Sequence, residues 1–263
     1  MTQSARCTIC GGGANPFGRA VVLGKYDVQY FRCTRCGLVT TEFPYWLSEA
    51  YRDAIAEIDI GVLRRNLRAA RAIQVFIRMF SEPAGRFVDY GGGYGVLTRL
   101  MRDAGYDFFR FDTHCINLFA AGFDIVRDDE EFTLLTAIEV FEHFVDPVSE
   151  MERISRLGRT VLFTTELVPE DNPPLPGAWW YYGLSSGQHV TLYTRRSLEL
   201  LAGKFGLRYY SAAGLHVFSD RNFSPLLFTF AMKAAFRLPV PFCGRRQPLL
   251  EADFEKVTGY ALR

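Results

Sequence analysis

The sequence lacks the features of a secreted or membrane-spanning protein. Its first ten residues are mostly polar and include two cysteines, so they contain no apolar core of the kind that a signal peptide needs. No stretch long enough to cross a bilayer is without charged residues. We therefore expect a cytoplasmic protein without a transmembrane segment.

Neither sign of charge predominates in the chain. The 30 basic and 29 acidic side chains leave a formal net charge of +1. Surfaces that bind nucleic acid usually carry a clear excess of Lys and Arg, so this balance argues against nucleic acid as the main partner. Hydrophobic residues make up 49% of the 263 residues, which is enough to bury a full core.

Cysteine is sparse, but four of the six cysteines form two C-x-x-C pairs: Cys7 with Cys10, and Cys33 with Cys36. In a cytosolic protein, this spacing indicates a metal site more than disulfides. Four thiolates complete a tetrahedral zinc site with no open position, which predicts a structural zinc ion. A redox pair and chance spacing are the alternatives. The other two cysteines have no partner spacing and are expected to be ordinary small apolar residues: Cys115 and Cys243.

The N-terminal part differs from the rest in composition. Residues 1–45 are rich in Cys, Gly and turn residues, with short β-type runs at 20–23 and 29–31, which predicts a zinc ribbon. From residue 51 to 80, apolar residues recur at three- and four-residue steps. This periodicity predicts a helical linker or lid within residues 46–84.

Strands and helices alternate within residues 85–224, which predicts an α/β, Rossmann-like, mostly parallel sheet. The predicted strands are 86–90, 108–111, 125–127, 132–138 and 159–165. The predicted helices are 94–103, 115–121, 147–156 and 195–205. The last two predicted strands are 207–210 and 216–219. The short link between them predicts an antiparallel terminal hairpin. For the C-terminal extension, residues 225–263, we favour core packing or an interface, and shallow membrane contact is the alternative.

A glycine-rich turn follows the first strand of this alternating region. Its pattern, D-x-G-x-G-x-G, comprises Asp89, Gly91, Gly93 and Gly95. Such a turn between a strand and a helix offers backbone N–H groups to a ligand. A phosphate-binding P-loop would need Gly-Lys-Ser/Thr after the glycines, and the dinucleotide fingerprint would need Gly or Ala where Val96 stands. An acid at the end of the next strand, Asp112, favours an adenosine ligand.

This loop resembles that of class I S-adenosylmethionine (AdoMet)-dependent methyltransferases. The resemblance implies that Asp112 accepts both ribose hydroxyls and that Asp89 holds the methionyl amino group. Residues 139–147 are similar to the E-V-x-E-H-x-x-D-P signature after the fourth strand of that family, where Ala137 and Glu139 would line the AdoMet pocket. Two residues are candidates for the acid on the adenine side, Asp128 and Asp129.

Two histidines are candidate general bases. His143 belongs to the signature just described, where a structural or pocket-wall role is favoured. Residues 188–194 resemble the E-H-x-x-Y-F-S stretch of sugar methyltransferases, in which the histidine is a candidate base; here Gln188 replaces the Glu. His189 is therefore the first candidate, because an imidazole of near-neutral pKa can take a proton from a hydroxyl or an α-carbon. A buried structural histidine is the alternative.

A loop-rich insert, residues 166–194, is expected to hold the acceptor. Aromatic side chains with polar tips suit a sugar or an aromatic substrate, because they offer a flat face and a hydrogen-bonding edge. Trp180, Tyr182 and Gln188 are the candidate substrate contacts. The alternative is that the aromatic residues of the insert belong to the core.

The combination of a zinc ribbon carrying C-G-L-V, residues 36–39, with a methyltransferase region resembles enzymes that act on nucleotide-linked sugars. The resemblance implies AdoMet and structural zinc as cofactors. It also implies O- or C-methylation of a small-molecule acceptor, a nucleotide-linked or glycan sugar. An RNA methyltransferase that uses the ribbon is one alternative. A catalytically silent AdoMet-binding protein is another.

Overall fold

A computed structural model describes residues 5–52, 60–125, 130–237 and 246–262. The N-terminal part forms an antiparallel five-stranded sheet. Its strands, in spatial order, are β1 (Ala5–Arg6), β2 (Gly13–Val22), β3 (Tyr26–Cys33), β4 (Val39–Thr41) and β9 (Thr191–Leu192). The last strand comes from the predicted acceptor insert, so this sheet is completed by a distant part of the chain.

A second sheet has six strands and lies at the centre of the alternating region. They are β5 (Arg86–Tyr90), β6 (Asp107–Phe111), β7 (Leu134–Ile138), β8 (Thr160–Thr164), β10 (Arg208–Ala212) and β11 (Leu215–Ser219). The order is β10-β11-β8-β7-β5-β6, with β6, β5, β7 and β8 parallel and β11 antiparallel to both its neighbours. The mostly parallel α/β sheet and its terminal hairpin are thus confirmed.

Helices cover both faces of this central sheet. They are α2 (Val62–Phe80), α3 (Val96–Asp103), α4 (Pro147–Leu157), α5 (Arg195–Lys204) and α6 (Pro225–Arg237). Two further helices are α1 (Leu47–Ala50), which packs with the N-terminal sheet, and α7 (Leu250–Thr258). Side chains alternate along each strand, so Phe87 packs with α2, α3 and α6, whereas Val88 packs with α4 and α5. The result is a three-layer arrangement in which two apolar clusters sandwich the sheet.

Two predicted elements differ in the structure. Residues 115–121 form turns and no helix, because the Asn117 side chain accepts from the Ala120 N–H at 2.9 Å and donates to the Ala120 carbonyl at 2.6 Å. Helix α3 begins at Val96 and not at residue 94, since Gly95 is left-handed with φ 88°. Most of the predicted strand 125–127 lies outside the described residues, and so do Asp128 and Asp129. Asp124, just before this strand, forms an isolated parallel bridge with Arg110.

The C-terminal elements pack against the core. Buried residues of α6, among them Phe228 and Met232, contact the apolar face of α2. Helix α7 is held by Asp253, whose carboxylate accepts two hydrogen bonds of 2.7 Å from the Arg102 guanidinium. None of the described helices is both long and apolar enough to span a membrane.

Candidate active site

A cavity of about 1080 Å³ lies at the carboxyl ends of the parallel strands. Two groups of segments line it, and we call the parts of the cavity beside them its two ends: the segments that follow β5 and β6 at the first end, and the segment after β7 with insert residues between Gly183 and His189 at the other. Helix α2 contributes Arg65 and Asn66. Ligands of open parallel sheets bind at this edge, so the cavity is the candidate functional site.

The glycine loop after β5 has a backbone that only glycine adopts easily. Gly91 has φ 69°, and its N–H donates to the Phe111 carbonyl at 2.8 Å. A Cβ on Gly91 would lie 2.7 Å from Val140, and one on Gly95 would lie 2.6 Å from the Asn117 side-chain oxygen. Gly91 and Gly93 line the cavity, whereas Gly95 lies behind it, at the start of α3.

Asp112 follows β6 and lines the same end of the cavity. One carboxylate oxygen accepts from the Gly93 N–H at 2.9 Å, and the other accepts from the N–H groups of His114 at 2.7 Å and Cys115 at 2.9 Å. These backbone donors fix the carboxylate beside the glycine loop. The structure therefore places the Asp112 carboxylate beside the glycine loop, and its role toward the ribose stays a prediction.

Asp89 lies at the carboxyl end of β5 and is only 3% exposed. Its carboxylate accepts a hydrogen bond of 2.7 Å from the Thr136 hydroxyl. Burial raises the pKa of Asp89 to about 7, and the nearby charge of Asp112 adds to this effect. A cationic group bound in the cavity would stabilise the charged carboxylate.

Glu139 and the two histidines lie at the other end of the cavity. Glu139 has an unusual left-handed backbone with φ 56°, and its N–H donates to the Thr164 hydroxyl at 2.9 Å. Burial raises its pKa to about 7, with a further contribution from Glu142. The ring centroids of His143 and His189 lie 5.1 Å apart.

Both histidines are held by their Nδ1 atoms. His189 Nδ1 lies 2.6 Å from the Tyr181 carbonyl, so Nδ1 carries the proton and Nε2 has the free lone pair. His143 Nδ1 lies 2.8 Å from the Tyr51 hydroxyl. Burial lowers the pKa of His189 and lowers that of His143 to about 3, so both rings are neutral near pH 7.

Glu142 is fully buried directly behind the histidines. Within the described chain, neither of its carboxylate oxygens has a hydrogen-bond partner at normal distance, although the Tyr181 and Thr165 hydroxyls lie nearby. Burial raises the pKa of Glu142 to about 7. The sequence signature contained this residue without indicating a role, and its isolation becomes visible only in three dimensions.

The remaining predicted site residues divide into two groups. Trp180 and Gln188 line the cavity, and Gln188 also donates to the Ala50 carbonyl at 2.8 Å. Tyr182 is 1% exposed, and its hydroxyl donates to the Pro174 carbonyl at 2.7 Å, so the structure places it in the core and not at the cavity. Ala137 is likewise fully buried within β7 and does not reach the cavity wall.

The four cysteines of the C-x-x-C pairs meet outside the cavity. The Sγ atoms of Cys7 and Cys36 are 3.5 Å apart, those of Cys10 and Cys33 are 3.4 Å apart, and all four lie within 4.8 Å of one another. Sulfurs around a tetrahedral zinc ion, with bonds of about 2.3 Å, are about 3.8 Å apart. The donor set and spacing fit one zinc ion.

Comparison with known proteins places the chain in a family. A family model described as a methyltransferase domain matches residues 63–212, more than half of the chain, and the protein belongs to this family. No curated protein matches the sequence at a significant level.

Solved structures that are similar to parts of the chain include several methyltransferases. CalO1, a methyltransferase of calicheamicin biosynthesis in its SAH-bound form, is 19% identical, with a TM-score of 0.44 over 66% of this chain and 61% of that one. The mitomycin 7-O-methyltransferase MmcR is 14% identical, with a TM-score of 0.46 over 66% of this chain and 59% of that one. Human N-acetylserotonin methyltransferase in complex with SAM is 16% identical, with a TM-score of 0.42 over 67% and 66%. The chain thus spans about three fifths of the first two structures.

Replacing Glu142 with glutamine should change how stability depends on pH. Because the folded-state pKa is raised from 4.5 to about 7, the folded protein binds this proton over a range in which the unfolded chain loses it. The free energy of unfolding therefore falls as pH rises through this window. Glu142→Gln removes that loss. The difference in free energy of unfolding between variant and wild type should therefore shift in favour of the variant by up to ~3 kcal/mol from pH 5 to pH 8.

Urea unfolding of both proteins at the two pH values measures this difference. Glu152→Gln, which removes an exposed carboxylate on α4, should change stability equally at both pH values. If Glu142→Gln also changes stability equally at both pH values, the Glu142 carboxyl group of the wild type is not desolvated.

Proposed function

We propose that the protein transfers a methyl group from AdoMet to a small-molecule acceptor. The observation that carries this proposal is the arrangement of one cavity. Its first end has the glycine loop with Asp89 and Asp112, and its other end has a neutral His189 with a free Nε2. Membership of the methyltransferase family supports the same reaction class.

The first end of the cavity suits the cofactor. Gly93 faces open space beside the loop, since a Cβ there would meet nothing within 4 Å, and Asp112 would accept hydrogen bonds from the ribose hydroxyls in place of the Gly93 N–H. Asp89, buried with a single neutral donor, would be stabilised by the methionyl ammonium group. When bound, AdoMet supplies an activated methyl group on a sulfonium leaving group.

The other end of the cavity suits an acceptor that presents an uncharged hydroxyl or an acidic C–H group to His189. His189 would take the acceptor proton on Nε2, since the Tyr181 carbonyl holds Nδ1 in its protonated form. Trp180, 75% exposed at the cavity, would offer a flat face to a sugar ring, and Gln188 would lie at the polar end. We infer O- or C-methylation of a nucleotide-linked or glycan sugar.

The charge of the insert favours this acceptor over RNA. Residues 173–193 contain no Lys or Arg, whereas binding to a phosphate backbone depends on such residues. A nucleotide-linked sugar carries far fewer phosphates than an RNA strand, and a glycan carries none, so either needs less neutralisation of this kind.

We also propose that Cys7, Cys10, Cys33 and Cys36 hold one structural zinc ion. The four sulfurs converge as such an ion requires, and the N–H groups of Arg35 and Cys36 point at the Cys33 sulfur at 3.4 and 3.5 Å. Four thiolates leave no position for substrate, so the zinc would stabilise the fold only.

Elemental analysis of protein purified without chelator should find one zinc per chain. Cys33→Ser should lose the metal and destabilise the N-terminal sheet more than the central sheet, because the central sheet buries its own apolar surface. Cys115→Ser is the control and should retain the zinc. Protein that contains no zinc would contradict the assignment.

Replacing Asp112 with asparagine should weaken AdoMet binding by about 1–3 kcal/mol, because a charged acceptor of the ribose hydroxyls is lost. Isothermal titration calorimetry with AdoMet and its demethylated product measures the effect. Asp220→Asn, exposed just after β11, should bind like the wild type. Equal affinities for Asp112→Asn and the wild type would remove Asp112 from this role.

The variant His189→Asn should keep its AdoMet affinity and lose turnover by about 10²–10⁴-fold, since a base acts on the acceptor and not on the cofactor. The assay follows transfer from labelled AdoMet to a panel of nucleotide sugars, glycans and total RNA. If wild-type turnover persists in the variant, the imidazole is structural and His143 becomes the candidate. Transfer only to RNA would replace the sugar acceptor with the RNA alternative.

A further inference from the structure

Three potential metal ligands converge at the wall of the cavity, where His143 and His189 line it and Glu142 is buried beside them. Glu142 and His143 lie in the short helical turn Phe141–His143 that follows β7, and His189 approaches from the insert. One ligand atom from each of the three side chains lies within 4.8 Å of the others. Two segments that are distant in sequence supply these groups, so the fold, and not sequence proximity alone, brings the cluster together.

The two imidazoles are oriented as metal-binding histidines usually are. His189 donates from Nδ1 to the Tyr181 carbonyl, and His143 Nδ1 lies within hydrogen-bond distance of the Tyr51 hydroxyl. Metal-bound histidines typically use one ring nitrogen for such an outer contact and the other for the ion. In the described part of the chain, Nε2 of each ring has no hydrogen bond. In His189 this nitrogen has the free lone pair, and in His143 it would bind an ion when Nδ1 donates to the Tyr51 hydroxyl oxygen.

The carboxylate of Glu142 provides an independent observation that points to a ligand. It is fully buried, and neither oxygen has a hydrogen-bond partner among the described residues. A buried carboxylate without a partner costs free energy that a bound cation would recover. Arg65, which also lines the cavity, brings one positive charge to a region that contains the two carboxyl groups of Glu139 and Glu142.

We propose that Glu142, His143 and His189 form a binding site for one divalent transition-metal ion, separate from the four-cysteine cluster. Two imidazoles and one carboxylate suit ions such as Mn²⁺, Fe²⁺, Co²⁺ or Zn²⁺ and leave positions open for small molecules. Neighbouring ligands of an octahedral or tetrahedral ion with bonds of about 2.1 Å lie about 3.0–3.4 Å apart, so binding would contract the cluster by up to about 2 Å from its widest separation.

The site bears on the role of His189, although its existence does not depend on the methyl-transfer proposal. His189 Nε2 cannot hold an ion and accept a proton at the same time. The metal-bound and the base-competent forms of His189 are therefore mutually exclusive states of one nitrogen atom.

Titration with Mn²⁺, followed by electron paramagnetic resonance, tests the site in the full-length protein. Mn²⁺ prefers oxygen and nitrogen donors over thiolates, so the cysteine cluster should not compete for it. The wild type should bind one Mn²⁺ per chain. The affinity should fall at least tenfold in Glu142→Gln and His189→Asn and remain unchanged in Glu166→Gln, which removes an exposed carboxylate near the same region.

Pulsed resonance on the wild type loaded with Mn²⁺ gives a measurement that does not depend on the folding of a variant. It should detect nitrogen nuclei of two imidazoles coupled directly to the ion. Either no saturable Mn²⁺ binding or bound Mn²⁺ without imidazole nitrogen coupling would overturn the proposal. These readouts involve neither AdoMet nor an acceptor, so a failure here leaves the methyltransferase proposal to its own tests.

Discussion

The pairing of β4 with β9 is the contact on which the arrangement of the cavity depends. Only two residue pairs form it, Val39 with Leu192 and Thr40 with Thr191. Nearby hydrogen bonds extend the attachment: the Trp46 indole donates to the Gly187 carbonyl at 2.8 Å, and Thr41 N–H donates to the Val190 carbonyl at 3.0 Å. Through these bonds the N-terminal sheet fixes the insert in position, and the insert in turn delivers His189 to the cavity.

The electrostatic character of the cavity follows from burial at both ends. Asp89 at one end and Glu139 with Glu142 at the other are carboxyl groups whose pKa values burial raises to about 7. The imidazoles of His143 and His189 are neutral for the same reason, because burial disfavours their charged form. Small changes in ligand charge therefore decide which of these groups are ionised near neutral pH.

Features set by local sequence were predictable. The glycine loop follows from the backbone freedom that Gly91 and Gly95 need, and the two faces of the central strands follow from side-chain alternation. By contrast, residues 115–121 had a helical composition, but the side chain of Asn117 competes for the backbone groups that a helix would use. Tyr182 and Glu142 show the other limit, because their environments depend on contacts with distant segments that a local pattern does not contain.

The shared five-stranded sheet also limits how relatives of this protein can diversify. The segment that delivers His189 to the cavity also supplies the edge strand of the N-terminal sheet. Gly37, beside the second cysteine pair, packs so closely on Thr194 that a Cβ would lie 2.9 Å from its methyl group. A loop taken from another enzyme would have to match both the strand edge and this contact. Acceptor specificity would then be exchanged as a two-segment cassette, with the N-terminal sheet and the insert transferred together.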